Sequence, residues 1–149
     1  MGGFLMAPKS DSRGRFYVRV YYEDTDHGGV VYHANYLRFM ERARTEMLRE
    51  RGLELDRLEK EDGVVFAVRR AQLDFRAPAR FNQHLRIDTR VNEIRPLRMR
   101  FVQQIFAEEV LLCIGEIEVA CLAAQNFRPT PIPASIVTAF SSTLTHENA

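Results

Sequence analysis

The chain has 149 residues, 46% apolar and 28% charged, with a formal net charge of +1. That balance is expected of one soluble domain large enough to bury a core. It argues against nucleic acid as the main partner, since duplex binding calls for a strong basic excess, and no apolar run reaches the roughly 18 residues of a transmembrane segment.

Residues 1–14 are expected to form a disordered tail. The opening MGGFLMAPKS has too short an apolar stretch for a secretory signal, and Met6 stands where a myristoylation pattern needs Ser or Thr. Residues 15–22, RFYVRVYY, alternate as a strand with Phe16, Val18, Val20 and Tyr22 on one face. An Asp/Gly-rich turn follows. A helix is then expected from about Asn35 to Arg51, because Tyr36, Phe39, Met40, Ala43 and Met47 recur at helical spacing. Asn35 suits the N-cap, Arg49 and Arg51 suit the negative end of the dipole, and Gly52 suits the C′ position.

Glu54–Asp62 reads as a polar connector, after which the period changes to two. Strands are expected over Val64–Phe75, Leu85–Ile94, Leu97–Phe106 and Val110–Leu122, with Leu85, Ile87, Thr89 and Val91 sharing a face. Ala77-Pro78-Ala79 interrupts or ends the first of these, and Arg95-Pro96 makes a tight turn. The segment RPTPIPASIVTAF has three prolines and cannot continue a central strand; a short helix fits Ser135–Phe140. The order predicts an α+β domain over 15–140, with 141–149 as a C-terminal tail. One antiparallel sheet would pack against a single long helix, and its open edge would be covered by a second copy.

Cys113 and Cys121 fall eight residues apart on one expected strand, roughly 26 Å at about 3.3 Å per residue. A disulfide needs Cα atoms within about 7 Å. Buried thiols in a reducing cytoplasm are therefore expected.

The chemistry-bearing stretch is Tyr21–Tyr36, YYEDTDHGGVVYHANY. It sets Asp24, Asp26, a glycine pair and two histidines between a strand and a helix. Either aspartate alone is as readily a turn former. Asp26 with Gly28, Gly29 and His33 is a stronger set, because the run ends where free helix N–H groups bind anions. The glycines allow close backbone approach to a ligand. His33 would act through its ring or through its backbone N–H alone. His27 and His33, six apart with no nearby Cys, do not make a zinc site.

There is no nucleophile elbow and no phosphate-cradling glycine loop. Carboxylate chemistry remains: Asp26 either deprotonates a water or attacks an activated acyl carbon, while helix N–H groups polarise the carbonyl. Arg69, Arg70, Arg76, Arg80, Arg86, Arg90, Arg95, Arg98 and Arg100 are first of all a solvated sheet face. As a group they also suit the phosphates of a nucleotide-tailed substrate.

VRVYYEDTDHGGVVYHANYLRFMERARTEML closely resembles the Tol–Pal-associated acyl-CoA thioesterases, in the 4-hydroxybenzoyl-CoA thioesterase branch of the hotdog fold. The likeness continues through VVFAVRRAQLDFRAPARFNQHLRIDTRV, the strand end EVACL and PIPASIVTAF, roughly residues 17–140. The resemblance implies a curved five-stranded antiparallel sheet wrapped around one long central helix. It also implies a homodimer or homotetramer with the active site at a subunit interface, and hydrolysis of acyl-CoA to acid and CoA. Asp26 matches the catalytic carboxylate, and His33 matches the helix-start residue that polarises the thioester carbonyl. Tyr22, Gly28, Gly29, Val30, Tyr36 and Arg98 are the expected substrate contacts. CoA enters as substrate, with no cofactor and no metal. His27 departs from the family, which usually carries a small residue such as Ala there, and is expected to narrow the acyl pocket or shift substrate preference. Two other readings remain: a non-catalytic module binding acyl groups or an acidic acyl carrier protein, and a hydratase on the same fold. The seven-residue gap from Asp26 to His33 disfavours the hydratase.

Overall fold

The computed structural model describes residues 13–148. Five strands form one antiparallel sheet in the order β1-β3-β4-β5-β2. They are β1 (Arg13–Arg19), β2 (Val64–Phe75), β3 (His84–Ile94), β4 (Arg98–Ala107) and β5 (Val110–Ala123). Three helices accompany them: α1 (His33–Glu50), α2 (Leu55–Asp62) and α3 (Ala134–Asn148). Among the described residues α1 is the longest helix at 18 residues, α3 covers the segment where a short helix is expected, and α2 is additional to the expectation. The expected tail over 1–14 lies outside the described residues except for Arg13 and Gly14, which open β1.

Alternation in β3 and β4 is strict. Leu85, Ile87, Thr89 and Val91 are buried, as are Met99, Phe101, Gln103, Ile105 and Ala107, while their neighbours are half-buried. Residues buried on the helix side come from β3, β4 and β5, and α1 covers them with Tyr36, Phe39, Met40, Ala43 and Met47. Each such fully buried large side chain contributes about 1.5–3 kcal/mol. Gly14, Thr89, Gln103 and Gly115 pair in register across β1, β3, β4 and β5. The row leaves a trough for the helix: a Cβ on Gly115 would stand 2.8 Å from Met40 Sδ, and one on Gly14 2.9 Å from Met47 Cγ. Gln103 fills the middle of the row. Its Nε2 donates to the Met40 carbonyl and to Thr89 Oγ1, both at 2.9 Å, and its Oε1 accepts from Arg44 Nη1 at 3.0 Å.

Helix α1 ends as the sequence predicts. Gly52 sits at C′ with φ +81; its N–H donates to the Arg49 carbonyl, and Leu53 N–H donates to Leu48. This is a Schellman closure with Leu48 and Leu53 buried beside it. The helix start differs from expectation. It begins at His33 with Tyr32 as N-cap, and Asn35 lies inside the first turn. The expected strand over 15–22 stops at Arg19, and Tyr22 enters a 3-10 turn (Tyr22–Asp24) and is exposed.

The polar connector is also corrected, since Leu55–Asp62 is helix α2. Only Leu58 of this eight-residue helix is buried, so a single apolar anchor gave no period to read. An Arg57–Glu61 ion pair at 3.4 Å and left-handed Gly63 at the C-cap finish it. Helix α3 runs well past the expected Ser135–Phe140, through most of the segment expected to be a tail. Cys113 and Cys121 are free and buried on β5, and burial pushes each thiol up to about 11.

Candidate active site

The segment from β1 to α1 is held by its own side chains. Val20 N–H donates to the Gln83 carbonyl, and the chain then turns through Tyr22–Asp24. Asp24 holds that turn through three hydrogen bonds. Its Oδ2 accepts from Tyr21 N–H at 2.8 Å. Its carbonyl accepts from Tyr32 N–H at 3.0 Å and from Asn35 Nδ2 at 2.9 Å. Asn35 is thus a strut between turn and helix, a donor where an N-cap must accept.

Residues 25–31 form a small closed loop. Asp26 N–H donates to the Val30 carbonyl, Gly29 N–H donates to the Asp26 carbonyl, and Thr25 bridges Val31. Gly29 adopts φ +77, which suits glycine. Asp26 Oδ1 accepts from Gly28 N–H at 2.9 Å, an Asx turn. Asp26 is exposed, and the bond to Gly28 leaves Oδ2 for other chemistry.

The connection from β2 to β3 forms a second wall. Val31 N–H donates to the Ala79 carbonyl at 2.8 Å, and Val30 bridges Arg80. Ala79 N–H donates to Tyr36 Oη at 3.0 Å. Burial raises the Tyr36 pKa, with the Ala79 hydrogen bond opposing. Phe75 meets the Tyr36 ring edge-on at 5.3 Å, and Phe81 meets Tyr22 at 5.8 Å. Tyr36 therefore clamps one wall to the other, while Tyr22 lies on the open side, 79% exposed.

Both walls end at the start of α1. Tyr32 supplies no side-chain cap. Asn35 N–H turns back to the Tyr32 carbonyl at 2.8 Å. The amides of His33 and Ala34 donate to no partner among the described residues. Two unsatisfied donors at the positive end of an 18-residue helix are a ready site for an oxyanion. The His33 ring is exposed, with its centroid 4.4 Å from that of Tyr32.

Tyr22, Asp26, Gly28, Gly29, Val30, His33 and Tyr36 thus belong to one loop–helix junction. Arg98 does not join them within the chain. The junction lies beside the start of β3, whereas Arg98 begins β4 beside the far end of β3, roughly 33 Å along the strand. Arg98 lies 3.8 Å from Glu118 on the other face of the sheet. Most of the other arginines are paired too: Arg69 with Glu118, Arg76 with Asp74, Arg86 with Asp88, and Arg95 and Arg100 with Glu93. Nothing in the spacing of the chain assigns Phe75, Ala79 and Phe81 to this junction. The only cue to them is Pro78, which ends the strand without revealing what the following turn faces. Among the described residues no cluster of His, Cys, Asp or Glu could hold a metal ion, and no helix is long and apolar enough to cross a membrane.

This sheet with its helices is the hotdog thioesterase fold, and the chain belongs to the thioesterase-like superfamily, whose family model matches residues 20–140. Among individual relatives it is 46% identical over 127 residues to the acyl-CoA thioester hydrolase YbgC of Escherichia coli O6:H1, covering 85% of this chain and 94% of that one. It is 38% identical over 130 residues to the acyl-CoA thioesterase YbgC of Haemophilus influenzae, covering 87% and 96%. A probable thioesterase from Bartonella henselae superposes with a TM-score of 0.78 at 35% identity, over 81% of this chain and 99% of that one.

Proposed function

We propose that this enzyme hydrolyses acyl-CoA thioesters to a free carboxylic acid and CoA at the β1–α1 junction. The observation that carries the reading is the pair of free amides at His33 and Ala34, next to a loop that presents the Asp26 carboxylate. The thioester oxygen would sit against those amides, which stabilise the negative charge that develops as the carbonyl is attacked. Asp26 either takes a proton from the attacking water or adds to the acyl carbon itself, forming an anhydride that water then opens. In both routes the C–S bond breaks, the thiolate leaves and is protonated, and water supplies the new acid oxygen. The similarity to acyl-CoA hydrolases supports CoA as the carrier.

Asp26 is exposed in the single chain, so water exclusion has to come from the substrate and a second subunit. The partly uncovered apolar side of β2 favours a homo-oligomer that brings a partner against the site. A partner's Arg98 would then be available to CoA phosphates. We place the enzyme in the Tol–Pal-associated branch, working in the cytoplasm without metal or cofactor.

The test is thiol release from short-chain, long-chain and aromatic acyl-CoAs by wild type and Asp26→Asn. Asn keeps the hydrogen-bond acceptor to Gly28 but cannot act as base or nucleophile. Turnover is expected to fall at least about 100-fold, with the melting temperature unchanged. Turnover near that of wild type would reduce Asp26 to a turn former, and no release from any acyl-CoA would leave a binding module.

A further inference from the structure

Eleven residues beyond His33, roughly 16 Å along α1, a second feature lies outside the junction described above. Arg44 is 8% exposed. Its Nη1 donates to Gln103 Oε1, and its guanidinium carbon lies 5.8 Å from the Phe101 ring centroid. Both partners are uncharged, and among the described residues no carboxylate forms an ion pair with it. A buried cation ordinarily has an anion to offset its desolvation. Burial lowers the Arg44 pKa to about 10, with Glu41 opposing.

Arg44 opens onto a cavity of about 110 Å³ where α1, β2, β4, β5 and α3 meet. Beyond Glu41, Arg44 and Thr45 its walls are apolar, with Leu48, Phe66, Met99, Val119 and Ile136 among them. A cavity of ~150 Å³ lined by such side chains holds a benzene molecule, so this one suits an aliphatic tail of about four carbons. Glu41 is the one acid on the wall, and it is exposed, which keeps its charge in water. An apolar slot with a buried guanidinium beside it is complementary to one chemical class: a short-chain carboxylate.

We propose that the Arg44 cavity is a binding site for a short aliphatic carboxylate, with the tail among Leu48, Val119 and Ile136 and the carboxylate on the Arg44 guanidinium. The site is separate from Asp26 and His33. If the proposed hydrolysis holds, it offers a short acid product a place away from the reacting atoms. The binding itself does not depend on that reading.

The test is a titration of the whole protein with butyrate, followed by the methyl NMR signals of Leu48, Val119 and Ile136. A dissociation constant on the order of 1 mM is expected for so small a ligand. Butyramide, the uncharged near-isostere, should bind at least about tenfold more weakly, since it forgoes a charge-assisted pair. Arg44→Met should weaken butyrate binding by the same factor. Asp26→Asn should bind butyrate as wild type does, which separates this site from the hydrolytic one. Failure of butyrate to move those methyls at 50-fold above ~1 mM, or equal binding of butyrate and butyramide, would overturn the proposal. The ligand comparison in wild type decides the matter even if Arg44→Met does not fold.

Discussion

Asp24 and Asp26 stand two residues apart, and each gives one carboxylate oxygen to a backbone N–H, but Asp24 is half-buried and Asp26 exposed. Asp24 gives Oδ2 to Tyr21 and its carbonyl to Tyr32 and Asn35, so it ties the turn to the helix start. Asp26 gives one oxygen to Gly28 and keeps the other. The sequence places both acids in a turn, but no spacing rule tells which one stays exposed, because that depends on where Tyr32 and Asn35 come back to meet it. Arg98 shows a related limit: its charge is evident in the sequence, but its partner Glu118 lies twenty residues away on the neighbouring strand, and within one chain the fold keeps it apart from the junction. Glu118 itself is buried on the sheet, and the Arg69 hydrogen bond holds its carboxyl below the usual carboxylate range, with burial opposing. A depressed folded-state pKa means stability that is fully present above the unfolded value of about 4.3 and is lost as pH falls through the folded value. Glu118→Gln should therefore flatten the acid limb of the melting-temperature profile below about pH 4.3. An acid limb identical to that of wild type would mean the Arg69 pairing contributes nothing to folding.

At the scale of the element, α1 was the most legible part of the chain. Its stripe of Tyr36, Phe39, Met40, Ala43 and Met47 is buried, and Gly52 closes it. Its start was two residues off, because the first turn is fixed by a strut from Asn35 to a distant carbonyl rather than by a cap. The sequence shows Thr89 and Gln103 only as polar residues at inward strand positions. The fold gives them partners: Gln103 joins Met40, Thr89 and Arg44 in one hydrogen-bonded set beneath the helix. Gln103→Leu should cost at least about 1–3 kcal/mol of unfolding free energy, since it strands buried donors and acceptors on three partners. Urea denaturation measures it. A loss below about 0.5 kcal/mol would show the network to be neutral relative to an apolar core.

At the scale of the whole molecule, the unfinished part is the edge. Helix α1 packs chiefly toward β1 and β3, and the helix side of β2 is only partly covered: Val64 is buried and Phe66 and Leu73 are half-buried, but Val68 is 52% and Phe75 50% exposed. Twelve residues of edge strand with an apolar side partly uncovered invite pairing with another chain. The expected solution mass is therefore a multiple of 17.3 kDa by light scattering. Ala71→Lys, a charge at an exposed position on that side of the strand, should shift the mass to 17.3 kDa and lower turnover together. A monomeric wild type with full turnover would remove the partner from the mechanism.

The sequence by itself determined the strands, the long amphipathic helix and the acid-rich turn between them, because periodicity and turn chemistry are local properties of a chain. Only the tertiary structure decided which aspartate stays exposed, what Tyr36 clamps and where Arg98 goes. It alone sets a trough of Gly14 and Gly115 beneath α1 and buries Arg44 against the uncharged side chain of Gln103. Those outcomes are set by contacts between residues far apart in the chain, and the register of four strands chooses which of them meet.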